Sequence, residues 1–177
     1  MRFFTMLALM VAACIAAPAA QAEDGYRLWL RYEPVGAELK TDYVAAATQL
    51  VPGGDSATIR AASDEFARGL SSMLGSAPAI APRVSRDGAI LYGTPATSPA
   101  IAALKLPLSN LGKEGFLIRS VPVNGHRATV IAANEDVGVL YGVFHLLQRM
   151  ERHEPIAALD IAEKPKLNLR LLNHWDN

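Results

Sequence analysis

The densest gathering of chemically able side chains in the sequence is its final run, Asn173-His174-Trp175-Asp176-Asn177. An indole gives a flat apolar face on which a sugar ring can lie, while Asn, His and Asp give directional hydrogen bonds to hydroxyls or to a uronate. The competing account of the same residues is a polar loop around a packed Trp, and the chemistry alone leaves both open. The remaining candidates are weaker. His126 falls in a predicted hairpin, where a solvated side chain is expected, and His145 falls in an apolar helix, where a core or interface histidine is expected. Glu151, His153 and Glu154 could be drawn as metal ligands, but they follow a helix end beside Pro155 and read as a solvated cap. The chain has no GxSxG elbow, no HExxH pair and no Gly-rich phosphate loop. No residue is therefore assigned as a catalytic acid or base, as a metal ligand or as a cofactor contact.

Several elements must position that final run. Tyr26 to Tyr32 alternates large apolar and basic residues and predicts a half-buried strand, ended by Pro34 and Gly36. Tyr43 to Val51 predicts a second strand, weakened by Ala45-Ala46-Ala47, before a turn at Pro52-Gly53-Gly54. Ser56 or Asp55 caps a helix running to about Leu74, with an apolar stripe through Ile59, Ala62, Phe66, Leu70 and Met73 and a stop at Gly75. Ala89 to Thr94 reads as a buried strand, and Ser98 to Leu104 as a helical turn or two. Phe116 to Val123 and Arg127 to Ala133 flank Asn124-Gly125, whose tolerance of positive φ predicts an antiparallel hairpin.

Asp136 to Met150 predicts a helix with Asn134 as cap. It is apolar on two sides, one stripe through Val137, Leu140, Phe144 and Leu147 and another through Val139, Val143, Leu146 and Met150. A helix of that kind expects two partners. A single sheet would cover one stripe, so a neighbour beyond Asn177 is expected on the other, and the isolated chain is expected to be partly molten. Gly138 and Gly142 strip one face of side chains, which suits a close approach by another backbone. Ile156 to Ala162 predicts a further strand, Lys164-Pro165-Lys166 an exposed connector, and Arg170-Leu171-Leu172 a new buried strand.

Composition bounds the rest. The chain has 177 residues, 51% of them apolar, with 17 basic and 17 acidic side chains. That is a globular balance with no electrostatic footprint for nucleic acid or an anionic membrane. Met1-Arg2, the apolar run Phe3 to Ala17 and the small residues around Ala20-Gln21-Ala22 predict an export signal over residues 1–22, cleaved before Glu23. The competing form is a lipoprotein box, Val11-Ala12-Ala13-Cys14. In that form Cys14 would be lipidated and retained; with the signal cleaved, export to the periplasm or the extracellular space is expected, with no membrane attachment afterwards. Cys14 is the one cysteine, so the mature part has no disulfide or thiolate metal site.

Three segments carry a resemblance: Trp29-Leu30-Arg31-Tyr32, Gly138-Val139-Leu140-Tyr141-Gly142-Val143-Phe144-His145 and Leu171-Leu172-Asn173-His174-Trp175-Asp176-Asn177. In order and approximate spacing they resemble the α-glucuronidases of glycoside hydrolase family 67, which release 4-O-methylglucuronic acid from xylan fragments. The resemblance implies an α+β domain over residues 23–164, a mixed sheet with helices packed on it in a sandwich. It also implies that 165–177 begins a (β/α)8 barrel that this chain breaks off. Trp175 would then contribute to a glucuronate pocket, with Asn173, His174 and Asp176 beside it, since active sites sit at the carboxyl ends of barrel strands. The family inverts, so its carboxylates would stand about 6.5–9.5 Å apart across the sugar, and no position here matches them. The implied partners are glucuronate-bearing xylooligosaccharides and the missing barrel, with homodimers in the full-length form open. Two rivals stand beside this reading: a self-contained secreted carbohydrate-binding or interaction module, and an accessory domain of another polysaccharide or hexosaminide hydrolase.

Overall fold

The structure, a computed structural model, describes residues 30–167 and 169–171. From Arg31 onward they form one unit, built from α1 (Ala37–Ala46), β1 (Gln49–Pro52), α2 (Ala57–Leu74), β2 (Ala79–Ile80), β3 (Ala89–Gly93), α3 (Pro99–Ala103), β4 (Phe116–Val123), β5 (His126–Ala133), α4 (Asp136–Glu151) and β6 (Asp160–Glu163). The strands make one mixed sheet in the order β2-β1-β3-β5-β4-β6. β2, β1, β3 and β5 run parallel, and β4 is antiparallel to both of its neighbours. The expected mixed sheet with packed helices is thus present.

The period-two alternation of strands divides the sheet into two buried faces. Tyr92, Ile131, Ile118 and Ile161 lie in register across one face, where α2 and α4 cover them. There the Phe66 ring meets Tyr92 edge-on at 5.4 Å, and the Ser63 hydroxyl lies 2.8 Å from that of Tyr92. Val51, Leu91, Val130, Ala132 and Leu117 occupy the other face, under α3 and the loop that follows, which supply Ile101, Leu108 and Leu111. The result is three layers with two apolar cores.

α2 begins and ends as its sequence dictates. The Ser56 hydroxyl accepts from the Ile59 N–H at 3.2 Å, and Gly75 takes the left-handed conformation at φ 85°. The hairpin turn also takes its expected form, with Asn124 and Gly125 both at positive φ.

Five expectations are corrected. Leu30 to Tyr32 is not a strand: Tyr32 stands at φ 51° and its buried ring plugs the gap beside Gly69 of α2. The rest of that segment, and residues 1–22, lie outside the described residues. Tyr43 to Ala46 is the end of a helix, because Ala and its neighbours Glu38, Leu39 and Lys40 favour helix over strand. The strand there starts at Gln49. Asn134 does not cap α4; Glu135 holds that position without a side-chain bond, and the Asn134 amide donates instead to the carbonyls of Leu108 and Gly112 at 2.9 and 2.8 Å. The strand predicted from Ile156 begins only at Asp160, since Ala158 turns the chain at φ 54°. Arg170 and Leu171 are neither strand nor buried, Leu171 being 82% exposed.

The two stripes of α4 find partners inside the domain. Val139, Val143, Leu146 and Met150 are buried, and so is Leu147, which abuts Gly69 of α2. Val137, Leu140 and Phe144 are half-buried and Tyr141 is exposed. The sheet covers one side and α2 much of the other, so the expected bare face is reduced to a strip around Tyr141. The expected close approach of another backbone is found at Gly138, while Gly142 makes room for side chains. A Cβ on Gly138 would come 2.5 Å from the Gly115 carbonyl oxygen, and one on Gly142 2.4 Å from Ile131 Cγ2.

Candidate functional site

Asn173, His174, Trp175 and Asp176 lie outside the described residues. The described segment nearest to them in sequence is clasped to the domain. The Arg170 guanidinium pairs with Glu114 at 2.5 Å and donates to the Leu167 carbonyl at 2.7 Å. Hydrogen bonds to Glu114 and then to Tyr141 push its pKa above the usual arginine value. Lys164, just after β6, donates to the Asn110 carbonyl at 3.2 Å. Leu167, Leu169 and Leu171, spaced two apart, are all strongly exposed.

The other candidates resolve into structural roles. His145 sits on α4 with its ring 5.2 Å from Phe116 and its Nδ1 3.6 Å from Glu163 on β6. Burial lowers its pKa from the usual 6.5, Glu163 working against that shift. Its Nε2 is buried without a protein partner among the described residues. Glu154 pairs with Arg149 at 2.6 Å and Arg152 at 2.9 Å. Glu151 accepts from the Tyr32 N–H at 3.2 Å, and burial raises its pKa first of all. Among the described residues no group of His, Cys, Asp and Glu is arranged to hold a metal ion. His126 lies in an exposed cluster with Asp87 and Arg127.

Sequence reading missed a cleft of about 480 Å³ on the loop face of the sheet. It is lined by Val51, Leu91 and Val84 of the buried core together with Gly53, Gly54, Asp55, the start of α3, Arg83 and Asn124. Gly53 packs against Gly93 and Ser98 so closely that a Cβ would stand 2.8 Å from Ser98 Cβ. The paired glycines at 53 and 54 were the available signal, read only as a turn. A second, more apolar hollow of about 740 Å³ lies between α1 and the hairpin.

With this geometry in hand, the family model described as "Glycosyl hydrolase family 67 N-terminus" matches residues 28–146. The chain belongs to glycoside hydrolase family 67, of which it carries the amino-terminal region. It is similar to Alpha-glucuronidase A of Emericella nidulans, 27% identical over all of this chain and 20% of that protein. It is equally similar, at 27% identity, to Probable alpha-glucuronidase A of Aspergillus oryzae, over 88% of this chain and 18% of that protein. The chain thus spans about a fifth of the length of these relatives. Among solved structures it is similar to a GH115 4-O-methyl-alpha-glucuronidase with specificity for decorated arabinogalactans. That match has 23% identity and a TM-score of 0.47, over 57% of this chain and 13% of the other.

Proposed function

We propose that this chain is the amino-terminal part of an exported α-glucuronidase that hydrolyses the α-1,2 bond between (4-O-methyl)glucuronic acid and xylan or xylooligosaccharides, with inversion. The observation that carries this reading is the family match over residues 28–146, in company with relatives named as alpha-glucuronidases. The domain described above is a scaffold in this reading. Its clasp at Arg170 fixes the path of the chain into a barrel that supplies the general acid and the water-activating carboxylates. Trp175 stacks against the glucuronate ring, with Asn173, His174 and Asp176 bonding around it.

The test uses the full-length protein and 4-O-methylglucuronosyl xylotriose, followed by proton NMR. Release of glucuronate that appears first as the β-anomer is the expected result, and Trp175→Ala should lower the rate about a hundredfold or more, as loss of a positioning contact does. The 177-residue chain alone should release nothing. Absence of release by the full-length protein, or first appearance of the α-anomer, would overturn the activity or the inversion respectively.

A further inference from the structure

We propose that the cleft on the loop face binds a short stretch of an unsubstituted, neutral polysaccharide chain. Its volume of about 480 Å³ lies within the range of about 300–1,000 Å³ in which small-ligand sites fall. The chemistry of its walls selects the ligand. Asp55 and Arg83 both line the cleft; a carboxylate offers acceptors only and a guanidinium donors only. Both side chains are exposed, and among the described residues neither has an ion-pair partner, although they line the same cleft. An anion would meet Asp55 and a cation would meet Arg83. A ligand of neutral hydroxyls, each able to donate and to accept, satisfies both at once.

Two further groups carry unspent capacity of opposite kinds. Ser98 is 5% exposed and its oxygen accepts from the Ile101 N–H, but its hydroxyl hydrogen has no acceptor among the described residues. Asn124 spends its amide N–H on the Val84 carbonyl at 3.4 Å, which leaves its carbonyl oxygen to accept. Val51, Leu91 and Val84 also line the cleft but are almost wholly buried, so the groups that meet a ligand are the polar ones. The wall at Gly53 and Gly54 is closely packed, since a Cβ on Gly53 would stand 2.8 Å from Ser98 Cβ and 3.1 Å from the Tyr92 carbonyl oxygen, and one on Gly54 3.3 Å from Thr97. The cleft is therefore shaped before any ligand arrives.

The choice of xylan as the polymer rests on the glucuronidase reading. The test is calorimetric titration of the full-length protein with unsubstituted xylohexaose, for wild type, Asp55→Ala and Arg83→Ala, with thermal melts alongside. Each substitution is at an exposed side chain and should leave the melting temperature in place, while weakening binding by about tenfold, the loss of one charge-assisted hydrogen bond. Equal affinity in all three proteins, or no binding by wild type, overturns the proposal. A variant that melts early is replaced by Asp55→Asn or Arg83→Gln, judged by the same criterion. Release of glucuronate is measured in parallel. Release with unchanged xylohexaose affinity sinks the cleft alone, and cleft-dependent affinity without release sinks the glucuronidase reading alone.

Discussion

At the scale of single residues, Gly138 is a tight constraint inside a helix. Alanine there would gain about 1 kcal/mol of helix propensity, but its Cβ would meet the Gly115 carbonyl at 2.5 Å, and backbone cannot swing aside. Gly138→Ala should therefore destabilise by about 1–3 kcal/mol in urea titration; a neutral or stabilising result would mean that α4 does not lie as described. His145 gives a pH signature. Its folded pKa is depressed by burial below the 6.5 expected when unfolded, so above about pH 6.5 both states are neutral and the residue adds no pH dependence. As the pH falls below that value the unfolded chain takes up the proton first, and stability drops until the folded pKa is passed. His145→Gln should flatten that part of the stability profile relative to wild type, read by melting temperature between pH 7.5 and 5. The glycine requirement was legible from spacing alone. The fate of Tyr32 was not, because an alternating pattern does not reveal a residue at φ 51° whose ring fills a gap beside α2 and whose hydroxyl bonds Glu65.

At the scale of elements, what could be read was whatever is decided locally. The cap at Ser56, the stop at Gly75 and the turn at Asn124-Gly125 each rest on a few adjacent residues, and each is found in the expected form. Ser56→Ala should cost about 1 kcal/mol in urea titration, and more if the bond from Ser56 to Asp136 at 2.6 Å also supports the start of α4. A loss no larger than for an exposed Ser→Ala elsewhere would contradict both roles. The misread elements are those whose state depends on distant partners. α1 buries only Tyr43, so it has no amphipathic stripe to announce it and is held as a helix by propensity. β2 has two exposed residues and exists because β1 is there to pair with. Strand order was equally out of reach, since the placement of β1 between β2 and β3 is a long-range outcome.

At the scale of the whole molecule, the double stripe of α4 has an explanation that differs from the expected one. Its two partners are the sheet and α2, both within this domain, so the pattern reflects three-layer packing and by itself says nothing of a neighbour beyond Asn177. The assignment to a larger enzyme rests on the family match. The expectation of a partly molten chain changes with it. With both sheet faces covered, the domain should unfold in one transition, with coincident near- and far-ultraviolet circular dichroism and little dye binding at neutral pH. Separated transitions, or strong dye fluorescence before unfolding, would restore the molten picture.

The position of β6 has a bearing on biogenesis. The last strand of the sheet in chain order among the described residues, Asp160–Glu163, pairs with β4, so all six described strands have left the ribosome soon after Glu163 does. A translating ribosome adds about 5–20 residues each second. The sheet can therefore close while anything encoded downstream is still being made, so that, under the function proposed above, a following domain would emerge beside a finished platform instead of a tangle of unpaired strands.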